Sequence, residues 1–493
     1  MLGHLKQLQA AWLFLPALAL AADPTARYSV ISTAPTNAPE LGYAPVGVSF
    51  EFWAFPAYFQ DAAAAATKQC LANLHTLSGI WPLIRIGGYS QDRATYNPDA
   101  TKAVEYSMSD PLSEPVELKF GPEFMKLAAS YGGRVTFGLN RANGDLQDTL
   151  ATLELVREKV PNIHSVELGN EPENYKSYNR PIASGAGVWD PATDAQSQNN
   201  WIEEAGKVLL LSDFFQAGNF IEAPPTWGAS ELIATQNDSV KSYVRSYAHH
   251  HYPVGSVRDL MSHRNITDSL EVFRPEISAA TAAGKDFVLG EANTAGSGGD
   301  PTVSPVFGAA LWTLDYALRA LSIGVKRVHF HHSRLGDCPN CWWGAAAVGA
   351  PYYGAVAATA AVAGGAFILS ADGGASMGIY IVYDSARKPM RAVLYNPEFF
   401  DGSKTRNKLI FQLAGLTTSS VTVRRLTATS ATARSDQGPG GGVTFAGQGF
   451  SGGSCLPSGD EVREELAVTG GTATVVVSAS EAVLVELQPS TAP

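Results

Sequence analysis

Three acidic residues end strand-like runs instead of lying on polar helix faces: Glu51 in "PVGVSFEF" (45–52), Glu171 after "HSVELGN" (164–170) and Glu291 in "DFVLGEAN" (286–293). Asn170 precedes Glu171 and Pro172 follows it; the proline donates no N–H and restricts Glu171 towards an extended backbone. Gly290 leaves the backbone before Glu291 uncrowded. Hydrolysis of a glycosidic bond needs two carboxyl groups with different duties. One protonates the leaving oxygen, and the other stabilises or attacks the anomeric carbon, from ~5 Å away when a covalent, retaining route is used. Such chemistry requires a scaffold that brings distant segments face to face.

Between residues 45 and 364 strand-like and helix-like segments alternate. Besides the three above, the strand candidates are 82–88, 134–140, 219–225, 246–252 and 327–332, all β-branched or apolar runs bounded by Gly, Pro or Asn. Helix-like stretches lie at 60–77, 146–159, 198–211, 269–283 and 306–322. Eight strands each followed by a helix predict a (β/α)8 TIM barrel, in which chemistry sits at the C-terminal strand ends. No Gly-rich phosphate fingerprint follows the first strand, which argues against an open doubly wound sheet. After residue 364 short alternating segments such as "SMGIYIVYD", "MRAVLYNP" and "SVTVRRLTA" predict an antiparallel, sandwich-like β-domain over 365–493, with a Gly-rich loop at 436–454. The segment 22–44 contains "RYSVIST", a candidate extra strand for that domain.

The motifs "LGNEPENY", "VLGEAN" and "RIGGYSQD", in this order and followed by a β-domain, resemble glycoside hydrolase family 79 of clan A, the family of β-glucuronidases and heparanase. The resemblance implies Glu171 as general acid/base, Glu291 as nucleophile and Asn170 as the partner of the sugar 2-hydroxyl. It implies that Tyr252, in "HHHYP", and Arg85 touch the nucleophile, and that Glu51 binds sugar hydroxyls. In the family a Tyr-Gly-Gly loop after strand seven and a later Tyr read the sugar carboxylate. Here "GSGG" (296–299) carries Gly298 and Gly299 but has Gly296 where Tyr is expected, and Tyr353 in "PYYG" fits the later position. Backbone N–H groups of a Gly-rich turn bind anions on their own account. The implied activity is a retaining exo-β-glucuronidase acting on terminal glucuronic acid, with or without a 4-O-methyl group, of a glycan such as arabinogalactan, without a cofactor. A heparanase-like endo-enzyme, a neutral-sugar glycosidase of the same clan and a glycan-binding protein on the same fold are the alternatives.

Composition narrows the choice. A net charge of −11 argues against a nucleic-acid partner and against a polyanionic glycan such as heparan sulfate. His249, His250 and His251 with His329, His331 and His332 are imidazoles at two strand ends. No H-E-x-x-H motif accompanies them, so hydrogen bonds within the barrel or ring stacking on a sugar are expected in place of a metal. Ser90 and Asp92 are weaker sugar ligands, and Trp53, Trp227, Trp342 and Trp343 are candidate platforms for sugar faces. Lys6, the apolar run 10–22 and Ala19-Leu20-Ala21 have the layout of a cleaved leader over 1–21, which predicts a secreted protein without a membrane anchor. Sequons at Asn237 and Asn265 fit that destination, and the cysteines Cys70, Cys338, Cys341 and Cys455 are expected in disulfides whose pairing stays open.

Overall fold

The computed structural model describes residues 24–110, 113–184, 187–372, 374, 376–435 and 442–488. The leader expected over 1–21 and the start of the Gly-rich loop lie outside the described residues. Eight parallel strands close into a barrel: β1 (Val46–Glu51), β2 (Ile84–Gly87), β3 (Val135–Leu139), β4 (Ile163–Leu168), β5 (Phe215–Phe220), β6 (Val244–His251), β7 (Asp286–Ala292) and β8 (Arg327–His332). Neighbours follow chain order, and β8 returns to β1 with His331 opposite Ser49. Outward positions such as Val48, Phe50, Val166 and Phe330 are apolar and packed into the main core. Inward positions bond one another between neighbouring strands: Ser49 with His331 (2.9 Å), Thr136 with Ser165 (2.9 Å) and Gln216 with Glu167 (2.9 Å). Strands buried on both faces thus alternate apolar with polar, because the barrel interior is filled by a hydrogen-bonded network.

Several boundaries differ from expectation for local reasons. The helix expected from 198 starts at Pro191, since the Asp190 side chain accepts the Thr193 N–H (2.8 Å) and proline is well suited to a first turn. The helix expected over 269–283 is two, His263–Glu271 and Arg274–Ala282, because Pro275 can begin a helix but not continue one. Strand β5 lies four residues before its expected start: Gly218 and Asn219 adopt φ of 92° and 58°, and Pro224 and Pro225 beyond have no N–H for a ladder. A three-stranded sheet (Ala94–Tyr96, Val104–Ser107, Glu117–Phe120) is inserted after β2. Its strands are too short to show periodicity.

The C-terminal domain is a mostly antiparallel sheet, to which Thr25–Ser29 adds an edge strand parallel to Lys408–Ala414. Both halves of the sheet feed one apolar core, Phe411, Leu413 and Val475 from one and Ile381, Leu394 and Val485 from the other. Between this sheet and the barrel lies the helix Ala350–Val362, buried at every residue and apolar all round, as a helix covered on all sides must be. A disulfide from Cys70, in the helix Asp61–Ser78, to Cys455 ties the two domains together, and a second joins Cys338 to Cys341. Replacing Cys70 and Cys455 together by serine is expected to lower stability by about 2–4 kcal/mol. A thermal or urea unfolding midpoint equal to that of the unaltered protein would refute this.

Candidate active site

Arg85 of β2, wholly buried, organises the C-terminal mouth of the barrel. Its Nε donates to Glu167 Oε1 (2.8 Å), one terminal nitrogen donates to Ser49 Oγ (3.1 Å) and to the Glu291 carboxylate, and the other to Asn170 Oδ1 (2.8 Å). A buried cation between two carboxylates is stable only because every donor is engaged. By taking the amide oxygen of Asn170, Arg85 leaves that amide's N–H to face outward as a donor. Asn170 is fixed from behind as well, its backbone N–H donating to Asp92 Oδ2 (2.8 Å).

Glu291, near the end of β7, accepts from Arg85 and from the Tyr252 hydroxyl, and lies 3.5 Å from His331 Nδ1. Burial acts to raise its proton affinity, but His331, Arg85 and the phenol outweigh it and hold the carboxyl below the ordinary range. Glu171 faces the opposite balance. Burial first, and then the charge of Glu291, push its carboxyl up to about 8 against the pull of Arg85. One oxygen of each acid lies within 4.8 Å of the other, with a ring nitrogen of His250 within the same distance of both. The pair therefore holds one proton at neutral pH, on Glu171, in the separation and the division of duties that a double displacement at an anomeric carbon uses.

The backbone at Glu171 is not extended, as Pro172 led us to expect, but left-handed (φ 49°, ψ 61°). The Glu171 N–H donates to Asn219 O (2.9 Å), and Pro172 opens the 3-10 turn Pro172–Asn174. These contacts hold a conformation that costs a non-glycine residue roughly 1–3 kcal/mol. Its carboxyl meets His250 Nδ1 at 3.0 Å and Asn174 Nδ2 at 3.4 Å. His250 is kept neutral, its pKa lowered to about 4 by burial.

The structure gathers Arg85, Asn170, Glu171, Tyr252 and Glu291 at one mouth, and Glu51 joins them through His331. Glu51 Oε1 accepts the Ser90 N–H (2.9 Å) and hydroxyl, while Oε2 lies 3.6 Å from His331 Nε2. Tyr353 is not there. It sits in the first turn of Ala350–Val362, packs on Phe450 and accepts the Phe450 N–H (3.1 Å) at the domain seam, so the carboxylate-reading role expected of it fails. Gly298 and Gly299 pack against the loop after β8: Gly298 O accepts from Asn340 N (3.1 Å), and the Gly299 N–H is used on Gly296 O (3.0 Å), which removes it as an anion donor. Their φ values of 84° and 101° explain the glycines as turn residues. Trp342 and Trp343 are core residues, and Trp227 packs on Phe220. Asp92 anchors loops through Asn170, Tyr175 and the Arg141 N–H.

Glu167 escaped the candidate site, and His250 and His331, expected in hydrogen bonds within the barrel or in ring stacking on a sugar, stand beside the catalytic acids. The signal was there: each is a polar residue in an otherwise apolar strand of a two-face-buried barrel. A register shift between His249 and His250 turns His250 inward, while His249 bonds Glu222 O (2.9 Å) and His251 the Tyr316 hydroxyl (2.7 Å). Glu171, His250 and Glu291 are spaced as metal ligands could be. A cation among them would meet the Arg85 guanidinium already bound to Glu291 and displace the proton of Glu171, so the donor set does not fit one.

A closed parallel barrel with paired acids at the ends of β4 and β7 defines a glycoside hydrolase. Residues 379–484 match the glycosyl hydrolase family 79 C-terminal beta domain. A crystal structure of a 4-O-α-L-rhamnosyl-β-D-glucuronidase from Fusarium oxysporum 12S, in complex with Rha-GlcA, is 40% identical, with a TM-score of 0.89 over 94% of this chain and 100% of that one. A β-glucuronidase of Neurospora crassa is 28% identical over 69% of this chain and 67% of its own, and one of Aspergillus niger 27% over 58% of each. A family 51 α-L-arabinofuranosidase from Bifidobacterium longum shares the fold alone, at 12% identity and TM-score 0.59. The chain belongs to glycoside hydrolase family 79.

The proton on Glu171 sets the alkaline limit of the reaction. With its pKa at about 8, kcat/KM is expected to fall tenfold per unit well above pH 8, as the acid form disappears. Glu171→Gln is expected to remove that limb and to cost about 10²–10⁴-fold on substrates with poor leaving groups. A pH profile of the variant that still breaks near 8 would assign the proton elsewhere.

Proposed function

We infer that this family 79 enzyme is a retaining β-glucuronidase that works from the non-reducing end of a glycan. Glu171 protonates the glycosidic oxygen while Glu291 attacks the anomeric carbon; the C–O bond to the leaving sugar breaks as the ester to Glu291 forms. Glu171, now a carboxylate, removes a proton from water, which attacks the same carbon and releases the sugar and Glu291. Asn170 donates to the 2-hydroxyl, a contact that tightens as positive charge grows at the ring. The observation that carries this reading is the acid pair within 4.8 Å with opposite proton affinities. The glucuronyl specificity is supported by the relatives in N. crassa, A. niger and F. oxysporum.

Action at chain ends is supported by Arg334, in the loop after β8. It reaches the insertion after β2, donating to Ser113 O (3.4 Å), and so closes one wall of the mouth. Export from the cell belongs to the same reading. All four cysteines are paired, and Asn237 and Asn265 are exposed, in keeping with an oxidising, glycosylating compartment.

A 2-fluoro glucuronyl inactivator tests the mechanism directly. Mass spectrometry of the intact protein and of its peptides is expected to place one adduct on Glu291; an adduct elsewhere overturns the assignment. Alongside it, an aryl β-glucuronide is expected to be cleaved at least about 100-fold faster than the matching β-glucoside, β-xyloside or α-arabinofuranoside, the discrimination of a site whose polar groups are left unpaired by a sugar lacking the carboxylate. Equal rates would indicate a neutral-sugar enzyme.

A further inference from the structure

The N-terminal pole of the barrel, opposite the catalytic acids, gathers positive charge that the hydrolysis does not use. Arg134 immediately precedes β3, His164 and Arg245 are the second residues of β4 and β6, and Arg327 opens β8. In a parallel barrel the strand starts share the face away from the active site. Arg134 and Arg327 are an even number of residues from the inward positions Thr136 and His331, so both fall on the inward parity. His164 and Arg245 are bulged. Val135 pairs with Ile163 and Thr136 with Ser165, which passes over His164; Val244 pairs with Phe215 and Ser246 with Gln216, which passes over Arg245. A bulge at a barrel rim re-aims the side chain of its extra residue, and at this pole both bulges carry a basic one.

Few of these charges are compensated. Arg327 is 1% exposed, yet its Nε and one terminal nitrogen donate only to a backbone carbonyl, Tyr43 O (3.0 and 2.8 Å). Its other terminal nitrogen has no hydrogen-bond partner among the described residues. The Tyr43 ring lies stacked on His164, 6.3 Å between centroids, which brings His164 to the same spot. Arg134 is exposed, and its side chain makes no hydrogen bond or ion pair among the described residues. Arg245 approaches Asp213 only to 3.6 Å, that acid already holds Lys285 (3.2 Å), and Arg245 Nε is buried without a partner. Arg85, with every donor engaged, is the contrast. Burial lowers the Arg327 pKa to about 10 against the pull of Asp286, and Arg245 adds to the fall. Burial, and then Arg327, Arg245 and Arg134, keep His164 neutral.

We propose that the N-terminal pole is a binding site for a doubly charged phosphate group, free or as a monoester on a sugar, held by Arg134, Arg245 and Arg327 with the His164 ring beside it. Charge sets the valence of the ligand. Lys285 offsets Asp213, and Asp286 offsets one of the three guanidinium groups, so two positive charges remain for an anion to meet. Geometry sets its type. Guanidinium forks match phosphate oxygens two at a time, and a neutral imidazole adds one N–H donor. The site lies across the barrel from Glu171 and Glu291 and stands apart from the glucuronidase reading.

The test titrates sodium phosphate, and separately glucose 6-phosphate, into the unaltered enzyme, Arg134→Ala and Arg245→Ala by calorimetry. Ionic strength is held constant with sodium chloride, at a pH above the second phosphate pKa of about 6. Saturable binding to one site is expected in the unaltered enzyme, weakened at least about tenfold in each variant, as loss of a charge-assisted hydrogen bond predicts. Tighter binding of the ester identifies a sugar phosphate as the ligand, and the reverse order the free ion; either supports the site. Without phosphate the thermal midpoint of each variant is expected to hold or rise, because a mutually repelling cation is gone, and kcat/KM on an aryl β-glucuronide to stay unchanged. Phosphate is expected to raise the midpoint of the unaltered enzyme more than that of either variant. No saturable binding at millimolar phosphate, or equal affinity in all three proteins, overturns the site. A lower ligand-free midpoint together with lost turnover would make the cluster a structural part of the barrel and overturn it as well.

Discussion

A single guanidinium, buried in the centre of a barrel, decides how this active site is built. Arg85 carries a positive charge that low-dielectric surroundings would reject, and it survives there because Glu167, Glu291, Asn170 and Ser49 enclose it. Those residues stand on, or just beyond, three other strands, β1, β4 and β7. The ion-pair network therefore sets the angular position of β1, β2, β4 and β7 about the axis as firmly as the backbone ladder does. It also has a chemical result: one carboxylate is kept ionised by His331 and by contact with Arg85, and the acid opposite, buried beside that negative charge, keeps its proton.

The division of labour between two glutamates is thus a matter of neighbours and not of residue type. Glu291 has a guanidinium, a phenol and an imidazole that can hold a proton; Glu171 has a neutral imidazole, an amide and the negative charge of its partner. The left-handed turn at Glu171 aims the acid towards Glu291, and the strain is carried by Asn219 and the turn opened by Pro172. Strain of this kind collects where a side chain must be pointed, not merely packed.

Much of this was legible in the order of residues. Strand ends bounded by Gly, Asn and Pro gave the barrel, because parallel strands announce themselves as short apolar runs; the acids at β4 and β7 stood out because ionised groups seldom end such runs without a task. What stayed hidden was of two kinds. Tyr353 and Gly299 have the right types at near enough the right places, but only three-dimensional packing shows that the helix Ala350–Val362 turns the tyrosine into the domain seam and that Asn340 pins the glycine loop. The inserted sheet between residues 94 and 120 was invisible because three- and four-residue strands have no period to read.

The edge strand Thr25–Ser29 pairs with Lys408–Ala414, so a strand made early in synthesis waits for one made late. While the ribosome is still working through the β-domain, the fully buried helix Ala350–Val362 has no sheet to lie against. The barrel is complete in sequence before it is complete in solvation. A fragment ending at the barrel's last helix would therefore carry every catalytic group yet leave an apolar helix face in water, an aggregation liability that the β-domain removes.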